Sequence, residues 1–249
     1  MVDRTAPPFG GAAGRGQAPG DDDVLVRPAD LEPWMQARAE RVLLVDGGGV
    51  LFNNVIEDSS FIDEVARTYR VPARELLTAY AARDSSFETD RCGIHEVLEA
   101  CLCSLGCRPP GRAELERIDA LYAASLVPNR ALFALLRATR GDRRRGPILV
   151  LASNEAKRWD EIKDRAFGHL GLFDHVGSSW KIGACKPEPA YFDGLERALR
   201  GVPRAHWRLL DDNPAVVAHA RALGVASTEY RAGVPGAQRV LRASTWPAT

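Results

Sequence analysis

Five residues at four places along the chain have the types needed to handle a phosphate and a divalent cation. They are Asp46, Ser153, Lys186 and the pair Asp211 and Asp212. Asp46 ends the apolar run 42–45 and opens onto Gly47, Gly48 and Gly49. Those glycines let the backbone approach whatever Asp46 touches. Ser153 and Asn154 follow the apolar run of ILVLASNE, Lys186 stands in GACKPEPAYF, and the acidic pair closes WRLLDD. Together they supply a carboxylate, a hydroxyl, an ammonium and two more carboxylates. Carboxylate oxygens suit a hard cation such as Mg²⁺, and an ammonium suits phosphoryl oxygens.

Each residue also has a plain structural role open to it. Asp46 can serve as a turn or capping aspartate. Ser153 can cap the helix after Asn154, and Asp212 or Asn213 can cap a helix that has Pro214 in its first turn. A solvated lysine is the role that fits Lys181.

The elements that must position these residues follow from the apolar pattern. Short apolar runs at 42–46, 148–153, 175–178, 208–211 and 225–228 predict strands. Helical spacing at 155–167, 188–199 and 214–223 predicts helices between the later ones, and Gly224 is placed to cap the last of these. Strands alternating with helices predict an α/β fold, a Rossmann-like parallel sheet with helices on both faces. In such a sheet all strand ends of one sense share an edge, so the four places meet there. Between Phe52 and Pro147 no strand is expected. Helical patterns at 59–70, 73–83, 94–105 and 113–126 predict an inserted bundle, and 129–139 predicts a helix returning to the sheet. The expected organisation is a disordered tail at 1–22, a core of 41–54 and 128–235, an α-helical cap at 55–127, and a loose tail at 236–249. Residues 24–40 are expected to add a short helix around Trp34.

Composition narrows the function classes. The 249 residues carry 33 basic and 33 acidic side chains, a formal net charge of zero. A general nucleic-acid binder would be basic, so none is expected as partner, and Arg143–Arg145 reads as a solvated loop. No run approaches a membrane span, and the N-terminus lacks a signal-peptide core. Five cysteines suggest no disulfide framework, so a cytoplasmic protein is expected. Cys101, Cys103 and Cys107, with Cys92 and His95 nearby, match no common zinc spacing and read as buried or half-buried thiols.

From about residue 41 to 230 the chain resembles the haloacid dehalogenase superfamily. The motifs are Asp46 to Val50, then Ser153-Asn154, then Lys186-Pro187-Glu188-Pro189, then Asp211-Asp212 with the helix that ends in Ala-Leu-Gly at 224. Glu88-Thr89-Asp90-Arg91-Cys92-Gly93-Ile94 resembles a recurrent cap turn. The resemblance implies an Asp46 nucleophile forming an aspartyl-phosphate and phosphate contacts from Gly47, Ser153, Asn154 and Lys186. It implies Mg²⁺ held by Asp46, Asp211, Asp212 and the Gly48 carbonyl. The implied activity is a Mg²⁺-dependent phosphatase for a small phosphorylated metabolite, such as a sugar phosphate. One departure stands out. Phosphatases of that superfamily usually carry a second aspartate two residues after the nucleophile, and here that position is Gly48. A missing general acid costs ~10²–10⁴-fold. The alternatives are a catalytically impaired binding or regulatory protein and a dehalogenase-type hydrolase. His95 is a candidate replacement donor. Phe61, Tyr69, Tyr80, Arg83, Phe87 and Arg91 are candidates for substrate recognition, and Asn53 and Asn54 for facing the cap.

Overall fold

The computed structural model describes residues 41–141, 146–200 and 202–231. The expected tails at 1–22 and 236–249, the helix near Trp34 and the Arg143–Arg145 run lie outside the described residues.

Five strands form one parallel sheet: β1 (Val42–Val45), β2 (Ile148–Leu151), β3 (His175–Val176), β4 (Trp207–Asp211) and β5 (Ala226–Glu229), in the order β3-β2-β1-β4-β5. β1 lies at the centre, with Val45 opposite Leu151 on one side and Leu210 on the other. Its alternate residues enter different cores. Leu43 and Val45 join Phe52, Leu149 and Leu210, whereas Val42 and Leu44 join Phe192, Leu195 and Trp207. Burial on both faces is why the run is apolar throughout.

Eleven helices are described: α1 (Val55–Asp58), α2 (Phe61–Tyr69), α3 (Ala73–Ala81), α4 (Asp84–Glu88), α5 (Ile94–Ser104), α6 (Arg112–Ala124), α7 (Arg130–Gly141), α8 (Lys157–Phe167), α9 (Ser179–Ile182), α10 (Pro189–Ala198) and α11 (Pro214–Ala222). α7 and α8 pack on one sheet face and α10 and α11 on the other. α1 to α6 form the insertion. α2 buries Phe61, Ile62, Val65 and Ala66, and α5 buries Ile94, Val97, Leu98, Cys101 and Leu102, each a stripe at helical spacing. Glu96 and Glu114 reach back to the backbone N–H of Gly93 (3.1 Å) and Gly111 (2.8 Å), which sets the starts of α5 and α6. No described helix is long and apolar enough to cross a membrane.

Three short helices, α1, α4 and α9, were not expected, because four or five residues are too few to show a period. The helix expected from 155 begins at Lys157, with Ala156 at its cap. Glu155 is drawn away by its own bonds. Its N–H donates to Ser179 Oγ at 3.0 Å, and its carboxylate pairs with Lys163. The N-cap role open to Ser153 is therefore excluded, whereas Asn213 does cap α11, accepting from Ala215 N at 2.9 Å. Cys103, expected to be at least half-buried, is exposed.

The chain leaves the sheet and returns to it through adjacent linkers. Phe52 and Pro128 form an antiparallel bridge. Asn53 Nδ2 donates to Ser125 O at 3.0 Å, and its Oδ1 accepts from Val127 N at 2.7 Å. Asn129 Nδ2 donates to Val50 O at 3.0 Å and to Tyr230 Oη at 2.8 Å. The insertion's apolar cluster continues without a break into the α7/α8 face of the sheet.

Candidate active site

β1 delivers Asp46 to the sheet's C-terminal edge, where its N–H donates to Leu210 O of β4 at 3.0 Å. Its Oδ1 accepts from Gly47 N at 2.7 Å, so the turn-aspartate role is also filled. The glycine loop then folds tightly against its neighbours. A Cβ on Gly47 would meet Ser153 Oγ at 2.5 Å, and one on Gly49 would meet Asp212 Oδ2 at 2.0 Å, with Gly49 at φ +68°. Both positions require the bare backbone. A Cβ on Gly48 meets nothing within 4 Å, and its φ of −69° and ψ of 143° suit any residue.

Lys186 arrives from the loop after α9. Asn154 clamps that loop reciprocally: its Nδ2 donates to Lys186 O at 2.8 Å, and its Oδ1 accepts from Lys186 N at 2.8 Å. The buried Lys186 Nζ lies 2.9 Å from Asp46 Oδ1 and 2.6 Å from Asp211 Oδ2. Asp211 Oδ1 accepts from Asn213 N at 3.0 Å. Asp212 is half-buried, 3.5 Å from Arg231 Nη2.

Electrostatics follow from this crowding. Burial pushes the Asp46 carboxyl up to about 7 against the pull of Lys186, with Asp211 and Asp212 pushing the same way. Burial would lower Lys186, but Asp211 and Asp46 override it and hold the ammonium well above its ordinary value. Oxygens of Asp46, Asp211 and Asp212 all lie within 4.8 Å of one another. Three carboxylates meet the Lys186 ammonium and, at Asp212, the Arg231 guanidinium, which leaves one negative charge unmatched. A divalent, oxygen-loving cation fits that donor set.

A cavity of about 310 Å³ spans this edge and the insertion. Asp46, Gly48, Asn154, Lys186, Asp211 and Asp212 line its core side. Ser153 and Gly47 are not among the lining residues. Ser153 sits just behind Gly47, and its hydroxyl makes only a 3.5 Å contact to Asn154 O. The insertion contributes Tyr80, Asp84, Phe87, Glu88 and Tyr122. Trp159 of α8 also lines it, stacked on Tyr122 at 4.2 Å. Asp84 Oδ1 and Trp159 Nε1 are buried without a hydrogen-bond partner. Burial pushes Asp84 up to about 6 and Glu88 up to about 7.

Of the recognition candidates, Tyr80 and Phe87 line the cavity, as do Asn53 and Asn54, which were expected to face the cap. Phe61 is core, in edge contact with Tyr122 and Trp159. Arg83 donates to Ala79 O at 2.7 Å, and Arg91 is exposed. Tyr69 lines a separate groove. His95 as proton donor is overturned: its Nε2 is 3.0 Å from Asp119 Oδ1, in a cluster with Arg158, and it does not line the cavity. Sequence reasoning missed Asp84, Tyr122, Glu155, Trp159 and Lys163 as cavity residues. Glu155 had a signal, since it directly follows Ser153-Asn154.

No family model matches the chain, and no curated protein sequence matches it. Solved structures do. A HAD family enzyme from Bacteroides thetaiotaomicron is similar at a TM-score of 0.65 and 21% identity, over 80% of this chain and 98% of that one. A structure of that enzyme in complex with magnesium and inorganic phosphate is similar at a TM-score of 0.58 and 20% identity, over the same shares, 80% and 98%. L-2-haloacid dehalogenase from Xanthobacter autotrophicus is similar at a TM-score of 0.56 and 21% identity, over 82% and 83% of the two chains. This chain therefore has the fold of those HAD structures, a parallel Rossmann-like sheet with added helices.

Proposed function

We propose that the protein is a Mg²⁺-dependent phosphatase of the haloacid dehalogenase type, acting on a small phosphorylated metabolite. The observation that carries this reading is the Lys186 ammonium between Asp46 and Asp211, with Asp212 completing a carboxylate cluster that suits a divalent cation. The similar enzyme from Bacteroides thetaiotaomicron, solved with magnesium and phosphate, supports it.

In this reading Asp46 attacks phosphorus and becomes the aspartyl-phosphate. Lys186 holds Asp46 in place and neutralises charge on the phosphoryl oxygens. Asn154 fixes Lys186 through its backbone, and Ser153 and Gly47 back the wall beside Asp46, a place that does not favour the phosphate contacts expected of them. Asp46, Asp211, Asp212 and the Gly48 carbonyl would hold Mg²⁺, which would neutralise the phosphoryl group. Residues 55–127 act as a cap on a core of 41–54 and 128–235. Aromatic walls, with Asp84 Oδ1 and Trp159 Nε1 left unpartnered, suit a hydroxyl-bearing leaving group such as a sugar. The carboxylate cluster disfavours a dehalogenase, whose departing halide needs no cation site. Gly48 favours a second reading, a protein that binds phosphate without turnover.

Phosphate release from a panel of small phosphate esters, with and without Mg²⁺, separates these readings. Metal-dependent turnover that disappears in Asp46→Asn is expected. Phosphate and Mg²⁺ binding without turnover on any ester would favour the second reading.

A further inference from the structure

Gly48 leaves the cavity without a carboxyl where the resemblance expects the general acid, so another group must protonate the leaving oxygen. The insertion side of the cavity offers Tyr80, Asp84, Glu88 and Tyr122. Burial holds both tyrosines well above their ordinary range, which makes them weak donors. Glu155, on the core side, is committed to its pair with Lys163.

Glu88 differs in its fixation and its reach. Its backbone O accepts from Ser179 Oγ at 2.6 Å, and the same Oγ accepts from Glu155 N at 3.0 Å. That bridge ties the end of α4 to the core. Its carboxyl and the thiol of Cys185, the neighbour of Lys186, act on each other's ionisation. The residue thus faces, from the insertion, the cavity that Asp46 and Lys186 line from the core. The groups around it are Asp84 on its own helix, Glu155 from the β2–α8 loop, and Cys185 and Lys186 from the loop before α10. Burial, then Asp84 and Glu155, push its carboxyl up against Cys185 and Lys186, to about 7. It can give up a proton and regain it near neutrality.

We propose that Glu88 is the general acid and base of this site. The assignment rests on the phosphatase reading. In the first step an Asp46 oxygen bonds to phosphorus while the bond from phosphorus to the leaving oxygen breaks. Its electron pair stays on that oxygen, which takes the Glu88 proton and departs as an alcohol. In the second step water attacks the aspartyl-phosphate, its proton returns to the Glu88 carboxylate, and Asp46 and inorganic phosphate are released.

The test compares Glu88→Gln with wild type on p-nitrophenyl phosphate, whose leaving group needs no proton, and on an alkyl phosphate that wild type hydrolyses. Expected is a loss of kcat of ~10²–10⁴-fold on the alkyl ester; on the aryl ester the variant should keep a rapid burst of p-nitrophenolate, because forming the aspartyl-phosphate there needs no proton, and then turn over slowly for want of the base. The ratio of the wild-type alkyl rate to the aryl burst rate should fall as pH rises through about 7, where Glu88 loses its proton, because ionisation of Asp46 acts on both and cancels. That limb should vanish in the variant. Gly48→Asp added to Glu88→Gln should restore alkyl turnover, since position 48 has room for a side chain. Loss of the burst on the aryl ester, or an unchanged rate on the alkyl ester, would overturn the assignment. Should Glu88→Gln fail to fold, the wild-type leaving-group series decides. A shallow dependence of kcat/KM on leaving-group pKa supports proton donation, and a steep one overturns it. An Asp46→Asn protein that keeps its turnover would overturn the phosphatase reading itself.

Discussion

Gly49 is constrained twice, by a left-handed backbone at φ +68° and by Asp212 Oδ2 at 2.0 Å from the place a Cβ would take. Its neighbour Gly48 has neither constraint. Gly49→Ala should therefore displace Asp212, weaken Mg²⁺ binding by at least ~10-fold, and destabilise the fold by ~1–2 kcal/mol. Isothermal titration with Mg²⁺ and urea unfolding check the two effects separately. An unchanged Mg²⁺ affinity would mean that Asp212 takes no part in the cation site. The same contrast explains why a run of three glycines does not act as one unit. Two of them are packed against Ser153 and Asp212, and one opens into the cavity.

At the scale of elements, Asn53 and Asn129 tie the insertion's two linkers to each other and to the sheet. Asn129 has the more demanding post, bonded to Val50 O and Tyr230 Oη and accepting from Leu132 N at 3.2 Å. Asn53 bonds only to backbone near exposed Val127. Asn129→Ala should cost ~2–3 kcal/mol and Asn53→Ala about 1 kcal/mol, because water can replace the second set more readily. Urea midpoints at constant slope give both numbers. The elements also mark where sequence reading stops. β1, β2 and β4 were legible because short apolar runs, broken in β4 only by half-buried Arg208, lead to Asp46, Ser153 and Asp211, so strand ends alone brought these three to one edge, whereas Lys186 stands in a loop. The insertion half was not legible. Glu155 and Lys163 lie eight residues apart, a spacing that usually marks a solvated helix face, yet here they form a buried pair. Tyr122 and Trp159 meet only because α6 docks on α8, an arrangement that no local pattern encodes.

Across the whole molecule, one apolar cluster runs from Leu43 and Val45 through Phe52 and Trp159 to Ile118 and Leu102. The insertion has no separate core to keep when the sheet melts. Thermal unfolding should be a single transition, with tryptophan fluorescence and far-ultraviolet circular dichroism changing together. Two resolved transitions would show that the insertion holds its own fold.

The paired linkers also close a neck. The insertion is entered along the chain at residue 53 and left at 127, and those two residues are bonded to each other, Asn53 N to Val127 O at 3.0 Å and Val127 N to Asn53 Oδ1 at 2.7 Å. Residues 54–126 therefore start and finish at one point. A short turn joining 53 to 127 would span the same gap and leave the path from β1 to α7 unchanged.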